Sequence, residues 1–544
     1  MFKYLLVFTA FIFGHNFSFS QCTETNEEKV LLVGDSWGFL MNLDGTINKV
    51  LSDWGHSSYK YYSNLSLVVV GAETVDFLVQ AKLDEITNQL INKPSIEYVH
   101  LSIGGNDVLG SWKSQSFSQF QTDSLRLEVK NNVIQLIEFI KSIRSDIKIV
   151  WSGYAYPNFE EVITGSLIPS AHPFHGKWIG MESPTSFELN GLLNLFSSDI
   201  ENHYANDSRV AFINATGITQ HTYGQVTPLA VPPYGSYAPF SAALPIGNVS
   251  YPSPKTSMRT YGVFKDCFHL SIQGYKDLLG YTTQKFYHKA FMDDKYFVAE
   301  NNVTTGSVSS DGNVSTKLMV GEDNGVVHQT ILTFETLYNL DFIVEKASIF
   351  FHIKESTGGN PIDEDIFVEV NDGAIGVSAA IEVQDFSAPS KAEGNPCVFG
   401  SNTDGKWVRL DLPSELLEFI TVNDITQFKI TAPFVFGQTA ELSGTENTDF
   451  APVLNVSYGT EAVVALPKEK IKQNVLIYPN PTVDFISIEV NSADIINIKL
   501  YSIDGREMLS TKNTQINLSS YPAGSYFIHV STDKGISRQK LIKR

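Results

Sequence analysis

The chain has 544 residues, a formal net charge of −20 and a sequence pI near 5.0. That length exceeds what one hydrophobic core normally organises, so we expect several domains. The acidic excess argues against a surface for nucleic acid or anionic lipid. The three cysteines, Cys22, Cys267 and Cys397, are too few for a disulfide framework and lack the spacing of a metal site.

The first residues have the pattern of an export signal. Lys3 supplies a positive charge, and an apolar run from Tyr4 to Gly14 follows it. Small residues at Ser18 and Ser20 predict cleavage before Gln21. Residues 1–20 are therefore predicted to be a signal peptide. No other stretch is long and apolar enough to span a bilayer, so we expect the mature protein to be soluble and outside the cytoplasm.

The first predicted strand carries a candidate nucleophile at its end. The branched apolar run from Val30 to Val33 is typical of a buried strand, which Gly34 ends. In open parallel sheets, ligands collect beyond the carboxyl ends of the strands. Ser36 therefore stands where a reacting group meets substrate. Gly-Asp-Ser is also an ordinary turn sequence, so the interpretation depends on a base and an oxyanion site elsewhere.

Strands and helices alternate up to about residue 293. Further buried strands are predicted at Leu65–Val70, Tyr98–Ile103, Lys148–Tyr154 and Val210–Asn214. Apolar residues recur at helical spacing over Val129–Ile143 and Leu189–Tyr204. Such alternation predicts an α/β/α domain with a parallel sheet covered on both faces.

One segment of this region lacks any helical period. Residues 222–255 are rich in Pro, Gly, Ser and Tyr, and a long structureless insertion is either functional or disordered. Because it precedes the candidate base, it is either a substrate-facing loop or a packed surface decoration. The sequence leaves both alternatives open.

The candidate base is His269, and Asp266 precedes it by three residues. An Asp at that spacing can turn back and accept a hydrogen bond from the imidazole. This contact fixes the tautomer and stabilises the imidazolium that forms when Ser36 gives up its proton. Helical periodicity resumes directly afterwards, at Ile272, Tyr275 and Leu279.

Two further residues are candidates for an oxyanion site. Gly71 follows an apolar run, and a glycine lets its backbone N–H approach a ligand closely. Asn106 follows another predicted strand, and its carboxamide supplies a neutral N–H donor. Together with the N–H of Ser36, they make three donors around one developing negative charge.

These motifs stand in one order along the chain: Gly34-Asp35-Ser36, Gly71, Gly104-Gly105-Asn106-Asp107 and Asp266-Cys267-Phe268-His269. The ordered set closely resembles the SGNH (GDSL) serine hydrolases. The resemblance implies a flavodoxin-like fold over residues 21–294 and ester hydrolysis with Ser36 as nucleophile, His269 as base and Asp266 as its partner. It places Ser36, Gly71 and Asn106 in the oxyanion hole. It requires no metal or cofactor, and His172 and His175 lack a third ligand.

Residues 295–459 have a different pattern, with short runs of alternating apolar and polar residues, which predicts an all-β sandwich. The runs Thr316–Gly321, Ile331–Glu335 and Ala451–Val456 make it similar to the DNRLRE-type sandwiches of secreted bacterial proteins. Some members of that group bind polysaccharide. The domain is therefore either a carbohydrate-targeting module or a structural spacer.

The chain ends in a third unit. Residues 460–473 are predicted to be a linker, and residues 474–544 form a small all-β domain. The stretches Tyr478–Pro481, Tyr501–Arg506 and Pro522–Ile528, with the basic end Lys540–Arg544, resemble the C-terminal sorting domain of type IX secretion. This implies a Bacteroidota protein that passes through the periplasm, meets the type IX machinery, and reaches the cell surface or the medium.

The leading functional hypothesis is a secreted carbohydrate esterase that removes acetyl or similar acyl groups from polysaccharide through an acyl-enzyme. One alternative is a lipase or arylesterase acting on small or lipid acyl esters. An alternative from another class is a glycan-binding adhesin with a vestigial hydrolase domain. The catalytic residues do not choose the acyl group or the alcohol.

Overall fold

The computed structural model describes residues 22–292, 295–336, 343–362, 366–420, 424–433, 435–459, 475–490, 495–502, 507–532 and 535–544. The predicted signal peptide, residues 1–20, and the predicted linker, residues 460–473, lie outside this part of the chain. The chain divides into two compact units. The first takes the residues up to Phe291 and Cys397–Pro413, and the second takes Met292–Pro396 and Ser414–Arg544. No helix in the described ranges has the length and apolarity needed to cross a membrane.

A parallel sheet organises the first unit. Its strands are β1 Glu27–Gly34, β2 Tyr59–Val68, β3 Tyr98–Ser102, β4 Lys148–Ser152 and β5 Val210–Ile213. They are ordered β2-β1-β3-β4-β5 and all neighbours are parallel. This order is the flavodoxin-like one, in which the chain reverses direction across the sheet beside the first strand. The predicted α/β/α fold is confirmed.

The helices of this unit cover both faces of the sheet. They are α1 Ser36–Asn42, α2 Thr46–Asp53, α3 Gln80–Asn92, α4 Gly105–Ser111, α5 Gln119–Ile143, α6 Phe159–Thr164, α7 His175–Gly180, α8 Ser186–Tyr204, α9 Ile218–Tyr223, α10 Ile272–Thr282 and α11 His288–Ala290. A π-helical turn, Thr283–Tyr287, joins the last two, and 3-10 turns lie at Leu43–Gly45, Thr74–Leu78, Pro169–Ala171 and Lys255–Ser257.

The apolar run of strand β1 is continuous because both faces of the strand are buried. Leu31 and Val33 point into the core that also contains residues of α3, α5 and α8. Val30 and Leu32 point into the opposite core, which contains residues of α1, α2 and α10. Successive side chains of a strand alternate between faces, so a strand covered on both faces needs apolar residues at every position. Each such side chain contributes roughly 1.5–3 kcal/mol on burial.

Strand β2 differs from its prediction. The apolar pattern placed it at Leu65–Val70, whereas the strand runs over Tyr59–Val68. It is an edge strand, and Leu65 and Val70 are 73% and 65% exposed. Because an edge strand is only partly covered, apolar continuity indicates its limits poorly.

Two hairpins complete the first unit. Strands β6 Met258–Tyr261 and β7 Phe264–Leu270 form an antiparallel pair that leads into α10. The strands Cys397–Gly400 and Trp407–Asp411 form the second pair. A disulfide joins Cys22 to Cys397, and the Trp407 ring stacks on Trp54 with centroids 5.8 Å apart. These contacts hold a distant segment of the chain on the first unit.

The second unit is antiparallel β-structure, as expected for residues 295–459. Its main run of strands is Ala392–Gly394, Phe367–Asp372, Asp424–Thr431, Val326–Thr336, Leu318–Asp323, Gln438–Leu442 and Val344–Thr357, in spatial order. Gly306–Ser309 pairs with Val326–Thr336 and with Val314–Ser315, while Val453–Tyr458 pairs with Val344–Thr357 and with Lys295–Val298. A short helix, Ser414–Leu417, and a 3-10 turn, Val383–Phe386, interrupt the strands.

The C-terminal region of this unit has two small antiparallel sheets. One contains Val475–Tyr478, Phe485–Val490 and Gln515–Asn517. The other contains Glu507–Thr511, Ile495–Ser502, Gly524–Thr532 and Gly535–Lys543 in spatial order. They share a core that includes Ile486, Leu500, Ile528 and Leu541. The predicted small all-β domain is confirmed.

Candidate active site

The site lies where β1 and β3 end at the carboxyl edge of the sheet. Gly34 ends β1, and a Cβ at this position would lie 2.5 Å from the Ser102 carbonyl oxygen at the end of β3. Only a glycine permits that approach. The next backbone N–H, of Asp35, donates to the same oxygen at 2.9 Å. Ser36, the first residue of α1, is thereby fixed beside the chain that leads from β3 into α4.

Ser36, His269 and Asp266 are brought together although 233 residues separate the serine from the histidine. His269 Nε2 lies 2.8 Å from Ser36 Oγ, and His269 Nδ1 lies 2.9 Å from Asp266 Oδ2. A carboxylate only accepts hydrogen bonds, so the imidazole proton is assigned to Nδ1. The Nε2 lone pair can then accept a hydrogen bond from the Ser36 hydroxyl. The arrangement has the geometry of a nucleophile, base and orienting acid.

The sequence between Asp266 and His269 turns the chain back on the carboxylate. Asp266 Oδ1 accepts the backbone N–H groups of Phe268 and His269, each at 3.0 Å. The Asp266 side chain is 2% exposed and that of His269 is 13% exposed. The carboxylate is thus held by two backbone donors, and one oxygen remains for the imidazole. The three-residue spacing produces this geometry within strand β7.

Asn106 is placed at the start of α4, facing the same cavity as Ser36. Its amide Nδ2 donates to the Ala72 carbonyl oxygen at 3.0 Å and lies 3.4 Å from Asp35 Oδ2. Gly71 lies in the exposed turn after β2, with φ +81°, which favours glycine. Gly71 is not among the residues that line the cavity. Its role in an oxyanion hole stays a prediction.

A cavity opens beside Ser36. The space inside its lining is ≈ 390 Å³, part of which is open solvent. The lining residues are Asp35, Ser36, Trp37, Gly105, Asn106, Leu109, Tyr154, Ala155, Pro157, Leu193 and Phe268. The lining is apolar apart from the polar groups around Ser36, so it suits an uncharged substrate group beside one reactive centre.

Two buried carboxyls flank the oxyanion candidate. Burial raises the pKa of Asp35 to about 6, and hydrogen bonds from the Tyr154 hydroxyl and the Trp37 N–H partly offset that increase. Burial likewise raises the pKa of Asp107 to about 6, and the hydrogen bonds that Asp107 accepts from Thr74 partly offset that increase. Asp107 Oδ1 accepts from Thr74 Oγ1 at 2.6 Å. Asp107 therefore ties α4 to the turn after β2.

Cys267 and His172 have structural surroundings. Cys267 is buried, and burial raises the pKa of its thiol. His172 Nδ1 accepts from the Phe174 N–H at 3.2 Å, and its Nε2 donates to the Lys265 carbonyl oxygen at 3.0 Å. Burial lowers the pKa of His172, which fits a neutral ring in this role. Within the described ranges, no group of three or more His, Cys, Asp or Glu residues could hold a metal.

The insertion at residues 222–255 is anchored by side chains of the surrounding helices. Asn190 Nδ2 on α8 donates to the Val249 and Tyr251 carbonyl oxygens at 3.0 and 2.8 Å. Gln220 Nε2 on α9 donates to the Tyr251 carbonyl oxygen at 2.6 Å. None of the residues lining the cavity comes from this segment. These contacts favour the packed-decoration interpretation over the substrate-facing one.

Sequence reasoning did not single out Tyr154 and Leu193, which both line the cavity. Tyr154 follows β4 at the same edge of the sheet as Ser36 and Asn106. The rule that ligands gather at strand carboxyl ends could have identified it. Leu193 lies within α8 and was predicted only as part of a helical face, because its position in the cavity depends on tertiary packing.

Comparison with known families matches two parts of the chain. Residues 30–279 match the family described as GDSL-like Lipase/Acylhydrolase. Residues 476–544 match the family described as Secretion system C-terminal sorting domain. No curated protein is a significant match to the chain. The matched ranges leave out residues 295–459, so a DNRLRE-like identity for that region stays a prediction.

Solved structures similar to the chain include lipases and carbohydrate esterases. An extracellular lipase from Streptomyces rimosus is 15% identical, with 47% of this chain and 99% of that chain covered and a TM-score of 0.27. A family 3 carbohydrate esterase from Talaromyces cellulolyticus is 10% identical, with 48% and 97% covered and a TM-score of 0.28. A family 3 carbohydrate esterase from Clostridium thermocellum is 14% identical, with 48% and 98% covered and a TM-score of 0.26.

Proposed function

Because residues 30–279 form a GDSL-like lipase/acylhydrolase domain and residues 476–544 form a C-terminal secretion sorting domain, we propose that the protein is an exported serine esterase. The observation that carries this proposal is the hydrogen-bonded series from Ser36 through His269 to Asp266, with distances of 2.8 and 2.9 Å. The sorting domain directs type IX secretion to the cell surface or into the surroundings.

In the proposed acylation step, Ser36 Oγ attacks the ester carbonyl carbon while His269 Nε2 takes the hydroxyl proton. Asp266 holds the imidazole and stabilises its positive charge. The tetrahedral intermediate then collapses, the bond to the alcohol oxygen breaks, and His269 returns the proton to that oxygen. The alcohol leaves, and the acyl group remains on Ser36 as an ester.

In the proposed deacylation step, water replaces the alcohol. His269 Nε2 takes a proton from the water as its oxygen attacks the acyl carbon, and it returns that proton to Ser36 Oγ as the acyl group leaves as a carboxylic acid. Both steps place negative charge on the same carbonyl oxygen. The Asn106 amide and the N–H groups of Ser36 and Gly71 are the proposed donors to it.

We place short acyl groups, acetyl above all, ahead of long chains as the group removed, and an acylated polysaccharide as the leading substrate. The support is the cavity wall, where Trp37, Leu109, Leu193 and Phe268 line an apolar space beside Ser36 that is partly open to solvent. Each buried methylene contributes about 0.8 kcal/mol, so the wall favours an alkyl group only as far as there is room for it. Lipid or aryl esters are the second candidate class.

The experiment is a rate series on nitrophenyl esters from acetate to palmitate, with the purified protein and its Ser36→Ala variant. We expect the highest kcat/KM on acetate and loss of that activity in Ser36→Ala. Preference for long chains would move the assignment to lipid esters. Activity retained in Ser36→Ala would overturn the assignment of Ser36 as nucleophile, and no activity in either protein would leave the adhesin alternative.

A second experiment addresses the alcohol side. Acetate release is measured from acetylated polysaccharides, with Ser36→Ala as the control for spontaneous hydrolysis. Release by the native protein alone supports a carbohydrate esterase. Turnover of nitrophenyl acetate with no release from any polysaccharide favours the arylesterase alternative.

We also propose that residues 295–459 hold the polysaccharide near the hydrolase domain. The support is the resemblance of their strand pattern to sandwiches that bind glycans. Ser36→Ala protein is incubated with insoluble polysaccharides and sedimented, so that bound protein is measured without hydrolysis. Absence from every pellet would favour the structural-spacer interpretation.

A further inference from the structure

Tyr154 connects three parts of the active site. It follows β4 and is 9% exposed. Its ring meets that of Trp37 edge-on, with centroids 4.9 Å apart. A Cβ at Gly105, the first residue of α4, would lie 3.1 Å from the tyrosine ring. The ring is thus packed between the residue after the nucleophile and the residue before Asn106.

The Tyr154 hydroxyl makes the shortest of the hydrogen bonds to the Asp35 carboxylate, at 2.7 Å on Oδ2. The other oxygen, Oδ1, accepts the Trp37 backbone N–H at 2.9 Å. Asp35 is 1% exposed. A buried carboxylate needs donors for both oxygens, since leaving one unsatisfied is costly. Tyr154 therefore supplies the main donor to one oxygen of this carboxylate.

Asn106 competes for that same oxygen. Its amide nitrogen carries two hydrogens. One is donated to the Ala72 carbonyl oxygen at 3.0 Å, and the nitrogen lies 3.4 Å from Asp35 Oδ2. The second contact is long for a hydrogen bond, and a bond from an amide to a fully engaged carboxylate would be shorter. The second N–H of Asn106 is therefore held loosely enough to be given up to a substrate oxyanion.

We propose that Tyr154 is a positioning residue that keeps this N–H of Asn106 available. Its hydroxyl satisfies Asp35 Oδ2, so the carboxylate does not draw the amide into a short, charge-assisted hydrogen bond. Without the hydroxyl, Asn106 becomes the nearest donor to Oδ2, and the carboxylate competes with the oxyanion for the same hydrogen. The inference rests on the proposed esterase function and assigns a role to a residue outside the family motifs.

The first test compares Tyr154→Phe with Tyr156→Phe on nitrophenyl acetate. Both variants lose one hydroxyl from a buried ring, but the Tyr156 hydroxyl accepts from Asn194 Nδ2 at 2.7 Å and does not line the cavity. Losing one oxyanion donor entirely reduces kcat by about 10²–10³. For Tyr154→Phe we expect a decrease in kcat of roughly tenfold or more with KM nearly unchanged, since the donor is retained but diverted. Tyr156→Phe should keep the native kcat.

The second test is a double-mutant cycle with Asn106→Ala. If Tyr154 acts through Asn106, Tyr154→Phe lowers kcat much less in the Asn106→Ala background than in the native one. Equal decreases in both backgrounds overturn the inference, because a structural role of the ring or hydroxyl would act independently of Asn106. Thermal unfolding of each variant verifies that the cycle compares folded proteins.

A second cycle, with Asp35→Asn, tests whether Tyr154 acts through the Asp35 carboxylate. In Asp35→Asn, no carboxylate competes for Asn106, so adding Tyr154→Phe should lower kcat little further. A further decrease as large as in the native background overturns the inference. Failure of the proposed function looks different. In that case Ser36→Ala retains activity, whereas failure of this inference leaves Ser36→Ala inactive and Tyr154→Phe fully active.

Discussion

Asn106 offers the cavity beside Ser36 an uncharged side-chain donor. It is 7% exposed, and the start of α4 and the contact to Ala72 fix its position. A donor that is already oriented stabilises charge in the transition state without reorganising, so its effect belongs to kcat and not to KM.

We predict that Asn106→Ala lowers kcat on nitrophenyl acetate by about 10²–10³, equivalent to about 2.7–4 kcal/mol, with little change in KM. Asn194→Ala is the matched control, because Asn194 lies on α8 and donates to the Tyr156 hydroxyl outside the cavity lining. Steady-state kinetics on both variants provide the measurement. A kcat within threefold of native for Asn106→Ala would contradict its role as an oxyanion donor.

The variant Asp266→Asn tests whether Asp266 orients the base, His269. We predict that Asp266→Asn lowers kcat by roughly 10⁴, because an amide nitrogen facing His269 Nδ1 favours the tautomer with its proton on Nε2. With its proton on Nε2, His269 could not accept the hydroxyl proton of Ser36. The two backbone N–H groups that hold the Asp266 side chain would also lose a carboxylate partner. Activity within tenfold of native would show that His269 works without Asp266.

At the scale of elements, the Cys397–Gly400 and Trp407–Asp411 hairpin is held on the first unit by the Cys22–Cys397 disulfide. The disulfide closes a loop with a sequence separation of 375 residues. Replacing both cysteines by alanine should lower the unfolding free energy of this unit by about 2–5 kcal/mol, because the unfolded chain regains freedom. Neither cysteine lines the cavity, so kcat should be unchanged.

The measurement is urea unfolding with and without dithiothreitol. The native protein in reductant should match the double variant, and the double variant itself should be insensitive to reductant. A native protein whose transition does not move in reductant would contradict a stabilising role for this disulfide.

Different elements were predictable to different degrees. Central strands such as β1 were found because burial on both faces forces a continuous apolar run, whereas the edge strand β2 was displaced by several residues. The proximity of Ser36, Asn106, Asp266 and His269 followed from three motifs, two placed after predicted strands and one before a predicted helix. The cysteine pairing did not, because three cysteines allow three pairings and the spacing favours none. The Leu193 side of the cavity wall depends on the packing of α8, which no local pattern contains.

At the scale of the whole molecule, buried ionisable groups of the first unit set its pH dependence. Burial lowers the pKa of His100 and of His288 to about 3, and that of His56 well below its usual value. Below about pH 6.5 these histidines bind protons in the unfolded chain but not in the folded chain. Each histidine therefore lowers the free energy of unfolding by about 1.4 kcal/mol per pH unit. Asp35 and Asp107, whose pKa values are raised to about 6, bind protons in the folded state below that pH and so partly offset the loss of folding stability.

We predict that the Tm of the first unit falls between pH 7 and pH 5, because three histidines outweigh two carboxyls. His100→Gln should flatten that decrease while retaining polar contacts to Ser152 Oγ and to the Tyr61 and Tyr287 hydroxyls, which lie 2.8, 3.2 and 3.1 Å from the native ring nitrogens. Calorimetry across this pH range provides the measurement, with the exposed His203→Gln as control. A Tm that rises toward pH 5 would contradict the assignment.

In the proposed mechanism, Ser36 carries the acyl group. The most direct measurement is peptide mass spectrometry of the protein after treatment with diethyl nitrophenyl phosphate, which transfers a stable phosphoryl group to an activated serine and releases nitrophenol. We predict one phosphoryl group on the peptide that contains Ser36, none in Ser36→Ala, and much slower labelling in His269→Ala. An unlabelled native protein, or a label on another residue, would contradict the assignment of Ser36 as nucleophile.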